Sequence, residues 1–286
     1  MNLLEGTREV PVIYTAHHAS HDFGEFEERV ALTTEQKLRF SDYGTSLTVP
    51  LNGLVVIVAD RSRGLGDLNR DPDDPGRFQY QDYGQPVKHD IWKPGQELTE
   101  QDKLYCQSNF YTPFHNEIID RLKVRNDLTF VVAWDNTAHY VIGEDSKGNP
   151  QTMRPFVLSN RGLENSSQAS VEESTSCDPK FLEMLAQNFS PALQEKGLPT
   201  EVLLNFVFKG GYICRRYSTL RNKEDLGKLG VVCDVQSLQL EYDTTITHDQ
   251  ETLEPKTENI DALREAFSKA ICKTIKEYSK INIHAY

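Results

Sequence analysis

The sequence has no excess of basic residues and no long hydrophobic run. Its 31 Lys and Arg residues are outnumbered by 43 Asp and Glu residues, which gives a net charge of −12. Nucleic acids and anionic membranes are bound mainly through excess positive charge, so this balance argues against both partners. Any anionic ligand must therefore meet a local cationic pocket. No apolar run approaches the roughly 20 residues that span a bilayer.

The five cysteines form neither a CxxC pair nor the regular pattern of a disulfide framework. Reduced thiols in a cytosolic protein are the simplest interpretation of their scattered positions. The amino-terminal segment MNLLEGTREVPVIY lacks the basic start and the apolar core of a signal peptide. These features together predict a soluble, cytoplasmic protein.

Two common catalytic motifs are also missing. The sequence contains no glycine-rich phosphate loop of the GxxxxGK[ST] or GxGxxG type. Residues 63–67 (RGLGD) have too few glycines, and their final Asp would repel phosphate. No GxSxG elbow presents a serine nucleophile. Phosphate-binding and serine-hydrolase chemistry are therefore poor interpretations of this chain.

Short apolar runs rich in Val, Ile and Phe predict buried strands, and segments of helical periodicity lie between them. The predicted strands cover residues 10–16, 54–59, 128–134, 202–208 and 237–242. The predicted helices cover residues 33–40, 99–123 with a break near Pro113, 178–188 and 259–280. This alternation predicts an α/β fold in which helices cover both faces of a mixed, mostly parallel central sheet.

Two segments of irregular composition interrupt this pattern. Residues 69–95 are dense in Asp, Pro, Gly and Tyr, and residues 159–176 are dense in Ser, Asn and Glu. Neither segment divides the strand pattern into independent halves. We therefore expect one domain over residues 1–286, with both segments as long loops.

Ionisable residues follow or end each predicted strand. The strands run in order into HHASHD, RSRGLGDLNR, WDNTAH and KGGYICRR, and the last strand carries Glu241 in QLE. Each group alone has an ordinary interpretation, because a histidine after a strand is usually structural and Glu241 could lie on a solvated face. Catalytic and binding residues nevertheless often lie on loops at strand ends, where a rigid scaffold holds them. Loops that only connected the strands would have no reason to place ionisable residues at all five strand ends.

Together these groups predict metal-assisted hydrolysis. Neutral imidazoles with a carboxylate form the ligand set of catalytic zinc, which keeps one position for water. Zinc lowers the pKa of that water to about 7, while a glutamate such as Glu241 can take and return protons. Arg70 and Arg215 can bind carboxylates bidentately. The predicted reaction is hydrolysis of an amide in a small molecule that bears carboxylates.

The order of these motifs resembles the N-formylglutamate amidohydrolase family, whose fold is similar to that of zinc carboxypeptidases and aspartoacylases. The resemblance runs from about residue 10 to 245 through HHAS, SDYGT, RSRGLGDLNR, YTPFH, the WD...AH loop, SNRG...SCDP, FKGGYICRRYS and LQLE. It implies a three-layer sandwich with one zinc ion at the strand ends. The implied reaction converts N-formyl-L-glutamate to formate and L-glutamate, a step of histidine degradation.

The resemblance also implies roles for individual residues. The zinc ligands would be His18, Asp42 and His139, with Asp22 or Glu25 as alternatives to Asp42. Glu241 would be the general base, and Arg63 would stabilise the developing oxyanion. The implied substrate-binding residues are Asn69 and Arg70 for the α-carboxylate, Arg215 for the γ-carboxylate, and His115 and Lys209 near the pocket. Asp60 and Asp67 would hold the arginines in place.

The chain departs from the family pattern in two motifs. It has HHAS where members carry Pro-His-Ser-Gly, and it has two extra residues between Asp135 and His139 where members carry a compact Asp-x-His-Ser. Two other functions therefore stay open. One is a carboxypeptidase-like hydrolase of another N-acyl amino acid or of small acidic peptides, and the other is a catalytically silent carboxylate-binding protein.

Overall fold

The computed structural model describes residues 1–82, 87–138, 141–144, 150–171 and 173–283. The strands are β1 (Asn2–Glu5), β2 (Val12–Ala16), β3 (Val55–Val58), β4 (Thr129–Thr137), β5 (Val141–Glu144), β6 (Pro150–Thr152), β7 (Phe156–Ser159), β8 (Val202–Leu204) and β9 (Val235–Asp243). The α-helices are α1 (Thr34–Phe40), α2 (Thr45–Thr48), α3 (Glu100–Cys106), α4 (Thr112–Lys123), α5 (Pro179–Glu195), α6 (Tyr212–Arg216), α7 (Thr219–Lys228) and α8 (Thr257–Ile283). Short 3₁₀ helices cover Gly24–Arg29, Arg63–Leu65, Pro75–Arg77 and Thr244–Ile246.

A seven-stranded mixed sheet forms the centre of the protein, in the order β1-β3-β2-β4-β9-β7-β8. β3, β2, β4 and β9 are parallel to one another. β1 and β7 pair antiparallel with β3 and β9, and β8 pairs parallel with β7. The predicted α/β fold with a mixed, mostly parallel sheet is therefore confirmed. Its four central strands end at the same edge.

Helices cover both faces of this sheet. On one face, α5 and α8 pack around the buried rings of Trp134 and Tyr242. On the other face, α4, α6 and α7 contribute to a second core that contains Val131. Side chains alternate between the faces along a strand. β9 therefore gives Leu238, Leu240 and Tyr242 to the first core and presents Gln239 and Glu241 on the second face.

The starts of the predicted helices follow local sequence signals. Thr33 caps α1 through a capping box with Gln36. Asp178 caps α5, and a proline occupies the first helical position after it. The predicted break near Pro113 is present as a π-helical turn over Gln107–Tyr111, directly before α4.

Some predicted boundaries are wrong. The strand predicted over residues 202–208 ends at Leu204, because Asn205 and Val207 have φ angles of 49° and 57°, outside the extended region. β8 also runs antiparallel to β9, so it ends at the edge of the sheet opposite to the ends of the four parallel strands. α5 extends to Glu195, beyond the predicted end at residue 188. The sequence patterns do not predict β1, β7, α2, α6 or α7.

Two expectations from composition can be compared with the structure. All five cysteines are free, and four of them are buried. None of the described helices combines the length and the apolar composition that crossing a bilayer requires.

Candidate functional site

The candidate site lies at the edge of the sheet where the four parallel strands end. His17 and His18 follow β2, and the register of β4 and β9 places Asp135 directly beside Glu241. A cavity of about 960 Å³ opens at this edge. The predicted site residues that line it are His18, Asp42, Arg63, Asn69, Arg70, Lys209, Arg215 and Glu241. One cavity therefore collects residues that are far apart in the sequence.

His18 contacts three carboxylates at the base of this cavity. Its Nδ1 lies 2.9 Å from Oδ2 of both Asp42 and Asp135, and its Nε2 lies 2.7 Å from Asp67 Oδ1. Burial and the Arg63 guanidinium oppose protonation, but Asp67 and Asp135 raise the pKa of His18 well above its ordinary value. Glu241 adds a further buried carboxylate to this cluster. The cluster thus concentrates negative charge where a divalent cation would balance it.

His17 supplies a second buried imidazole beside the same carboxylate. One donor atom each of His17, His18 and Asp135 lies within 4.8 Å of the others. The approach of His17 Nε2 to Asp135 Oδ2, at 3.1 Å, does not have hydrogen-bond geometry. Both ring nitrogens of His17 and Oδ1 of Asp135 are buried without a hydrogen-bond partner. Two imidazoles and a carboxylate are ligand types that zinc accepts, and His17 and Asp135 contribute atoms that have no hydrogen-bond partner.

The acidic member of the predicted ligand set can now be compared with its alternatives. Asp42 lies in the turn between α1 and α2, and its backbone N–H donates to the His18 carbonyl over 3.0 Å. Burial and the neighbouring Asp135 raise the pKa of Asp42 to about 8. Asp22 and Glu25 are exposed and do not line the cavity. The geometry therefore favours Asp42 or Asp135 as the acidic ligand of a metal ion. The predicted ligand His139 lies outside the described residues.

Glu241 is buried and is held by two donors. Thr137 Oγ1 donates to its Oε2 over 2.9 Å, and Gln239 Nε2 donates to its Oε1 over 2.5 Å. Burial and the nearby carboxylates Asp135 and Asp42 raise the pKa of Glu241 well above its usual range. A buried carboxyl group with a raised pKa, fixed next to a candidate metal centre, is suited to take up a proton during catalysis.

Carboxylates hold the predicted arginines at the cavity wall. Asp67 Oδ2 lies 2.9 Å from Arg63 Nη2 and 3.5 Å from Arg70 Nε. Arg215 Nη2 lies 3.0 Å from Asp71 Oδ2, and its guanidinium also lies over the Tyr212 ring. The predicted role of Asp67 in holding arginines is confirmed. The same prediction for Asp60 is wrong, because its carboxylate pairs with the amino group of Met1.

Asn69 lines the cavity but also connects two segments of the chain. Its Oδ1 accepts from the Ile213 N–H over 2.9 Å, and its backbone carbonyl accepts from the Tyr212 N–H over 2.9 Å. A Cβ atom on Gly211 would lie 2.3 Å from Asn69 Nδ2, so only glycine permits this approach. Asn69 therefore positions the start of α6, which carries Arg215.

His115 lies behind the cavity wall instead of lining it. The ring packs among aromatic side chains, and its Nδ1 lies 2.7 Å from Tyr217 Oη. Burial lowers the pKa of His115 to about 3. From this position, His115 supports the cavity wall near α6 and does not contact a substrate directly.

The folded protein should lose stability in acid partly because of His115. An unfolded chain binds a proton at this residue below a pKa of 6.5, whereas the folded state stays neutral until about 3. The contribution is therefore present above pH 6.5 and is lost as the pH falls toward 3. His115→Gln should flatten this part of the dependence of unfolding free energy on pH.

Denaturant titrations between pH 3 and pH 6.5 test this prediction, with a substitution of the exposed His21, His21→Gln, as control. Equal slopes for wild type and His115→Gln would contradict it.

Many residues that line the cavity have no role in the sequence prediction, and three of them are polar side chains close to the predicted site. Arg161 pairs with Glu173 through two contacts and donates to the Gly210 carbonyl over 2.7 Å. His248 is buried against Gly44, next to the turn that carries Asp42. Gln239 lies between Glu241 and the start of α6. The LQLE motif includes Gln239, but only tertiary contacts show what it touches.

Comparisons with known proteins relate the chain to one family and one fold. The sequence model of the N-formylglutamate amidohydrolase family matches residues 10–225. The fold is similar to that of an N-formylglutamate amidohydrolase from Ralstonia eutropha JMP134, with a TM-score of 0.65, 16% identity and coverage of 98% of each chain. A gene product from Agrobacterium tumefaciens has a TM-score of 0.61 and 15% identity, with 97% of this chain and 95% of that chain covered. No curated protein matches the sequence.

Proposed function

The chain belongs to the N-formylglutamate amidohydrolase family, and on that premise we propose that it is a zinc-dependent hydrolase of N-formyl-L-glutamate. One observation carries the proposal. Glu241, Asp135 and His18 lie together at the base of a cavity whose wall carries arginines. The products would be formate and L-glutamate, which would place the reaction in histidine degradation.

The charges of the cavity wall support an acidic amino-acid substrate. Arg70 and Arg215 are 40% and 44% exposed, so both can reach a ligand without being uncovered first. Guanidinium groups bind carboxylates through paired hydrogen bonds. In this proposal Arg70 binds the α-carboxylate and Arg215 binds the γ-carboxylate. The exposed Lys209 adds positive charge at the same wall.

The residues at the base of the cavity support a metal centre. His18 and Asp135, together with His17 or Asp42, would hold a zinc ion. Zinc bound there would polarise the formyl carbonyl and lower the pKa of a water molecule. The predicted ligand His139 stays a prediction.

The protein residues have separate tasks in the proposed hydrolysis. Glu241 takes a proton from the attacking water and later gives a proton to the leaving nitrogen of glutamate. Arg63 stabilises the negative charge that develops on the carbonyl oxygen. Thr137 and Gln239 keep both oxygens of Glu241 in place during these transfers. Water would supply the hydroxyl group of formate and the hydrogen of the new amine.

A comparison of two nearly isosteric substrates tests both the reaction and the carboxylate contact. The wild type should release formate from N-formyl-L-glutamate faster than from N-formyl-L-glutamine, which lacks the γ-carboxylate. Arg215→Met should raise KM for the glutamate substrate by about 10- to 100-fold, because a charge-assisted contact is lost. The same variant should change the kinetics of the glutamine substrate little.

Arg216→Met is a matched control, because Arg216 is the next residue of α6 and does not line the cavity. Equal losses for both substrates in Arg215→Met would contradict the proposed carboxylate contact. Faster release of an acid from N-acetyl-L-aspartate or a small acidic peptide would instead favour the carboxypeptidase-like alternative.

A further inference from the structure

Gln239 lies on β9 two residues before Glu241, so both side chains project from the same face of the sheet. It lines the cavity, yet only 4% of its surface is exposed. A buried amide needs partners for its oxygen and its nitrogen, because each unsatisfied group costs free energy. The hydrogen-bond partners of Gln239 connect Glu241 with the segment at the start of α6.

The contacts of Gln239 fix the orientation of its amide. Its Oε1 accepts from the Gly211 N–H over 2.9 Å and lies 3.4 Å from Asn69 Nδ2. A backbone N–H is only a donor, so the atom facing Gly211 must be the amide oxygen. The amide nitrogen therefore faces Glu241, to which it donates over 2.5 Å. The rotation of the amide that would reverse these roles would place two donors against each other.

These contacts join Glu241 to the wall that carries the substrate-binding arginines. Gly211 precedes α6, and α6 contains Arg215. Asn69 precedes Arg70 in the chain and also accepts from the Ile213 N–H of α6. One buried amide thus contacts the candidate base, the start of α6 and the residue before Arg70.

We propose that Gln239 is a positioning residue, which fixes the Glu241 carboxylate relative to the substrate-binding wall formed by Asn69, Gly211 and α6. The inference rests on the proposed amide hydrolysis. Thr137 holds the other oxygen of Glu241, so Gln239 completes the restraint and leaves the carboxylate one orientation. Proton transfer to a carboxylate depends steeply on this orientation, and a displacement of about 1 Å can cost about 100-fold in rate.

Two substitutions test separately the amide oxygen that faces Gly211 and the amide nitrogen that faces Glu241. Gln239→Met has a similar length but neither donor nor acceptor, so kcat should fall by about 100-fold and KM should rise. Gln239→Glu keeps an acceptor for the Gly211 N–H but replaces the donor with an oxygen facing Glu241. In that variant kcat should fall by a similar factor, while KM should stay within about threefold of the wild type.

Gln236→Met is the matched control. Gln236 is another buried glutamine of β9, but it contacts Cys177 and Asp178 on the opposite face. Steady-state kinetics, metal content and thermal unfolding would be measured for all variants. A purely structural role for Gln239 predicts lower thermal stability in the Gln239 variants with kcat per folded chain unchanged, as expected for Gln236→Met.

The outcomes distinguish the inference from the function on which it rests. A fall in kcat for both Gln239 variants, with metal content retained and with the two different KM responses, supports the inference. Turnover within about threefold of the wild type in both variants would overturn it alone. A wild type that releases no acid from any N-acyl acidic amino acid would overturn the proposed function and the role of Gln239 together.

Discussion

Glu241→Gln is expected to lower kcat by about 10²- to 10⁴-fold while the chain still folds and binds metal. The amide has nearly the same shape but cannot take a proton from water. Burial and the neighbouring carboxylates Asp135 and Asp42 raise the pKa of Glu241. A negative charge on this side chain therefore lowers the free energy of unfolding. The neutral amide should therefore leave the unfolding free energy equal or higher. Steady-state kinetics and denaturant unfolding measure the two effects.

The matched control for this substitution is Glu183→Gln. Glu183 lies on α5, on the other side of the sheet, and contacts Ser167 and Gln168. This variant should keep the wild-type kcat. A Glu241→Gln enzyme with more than about a tenth of wild-type kcat would remove Glu241 from the role of general base. A loss of metal in the same variant would instead indicate that Glu241 is a ligand.

His18→Ala is expected to reduce bound zinc from about one ion per chain to a small fraction, and activity with it. His18 is the imidazole that Asp42, Asp67 and Asp135 surround, so its removal takes away a donor and also leaves three carboxylates without their common partner. The variant should also unfold at a lower temperature. Metal analysis after dialysis, combined with thermal unfolding, measures both changes.

His21→Ala is the matched control, because His21 belongs to the same HHASHD segment but is exposed and does not line the cavity. It should bind zinc as the wild type does. Full zinc occupancy in His18→Ala would contradict the assignment of His18 as a ligand. The same analysis of His17→Ala, Asp42→Asn and Asp135→Asn would identify the other donors.

The sequence predicts the core of the fold well where the strands are long apolar runs. β2, β3 and β9 are buried along their length, as is β4 up to Asn136, and their composition reflects burial on both faces. β7 was not predicted, although it has four residues and is buried like β3. β8 lies within a predicted strand, but it has only three residues and ends four residues before the predicted boundary. The direction of β8 follows from its pairing with β7, which no local pattern encodes.

The convergence of site residues was predictable because parallel strands end at one edge. This rule is enough to predict that Glu241 and His18 lie close together, because each of them lies at the end of a strand. Asp135 is different, because β4 continues to Thr137 and turns a predicted loop residue into a strand residue paired with Glu241. The position of a side chain relative to its partner strand requires the register, which the sequence pattern does not give.

Other assignments depend on contacts between distant segments. His115 was expected near substrate, but the packing of α4 directs its ring toward Tyr217, behind the wall. Asn69 was expected to bind a carboxylate, and the structure adds contacts with Ile213 and Tyr212 that hold α6. The roles of Gln239 and His17 also depend on atoms that come together only in the folded chain. Zinc and a cytoplasmic location stay predictions.

Release of formate from N-formyl-L-glutamate by the zinc-loaded wild type is the most direct test of the central claim. The protein would be stripped with a chelator, reloaded with one equivalent of zinc and assayed for formate and glutamate in both states. We expect equal amounts of the two products from the zinc-loaded protein and little from the stripped protein. Zinc-loaded, folded protein that releases no formate would contradict the proposed function, and full activity after verified removal of metal would contradict the metal centre.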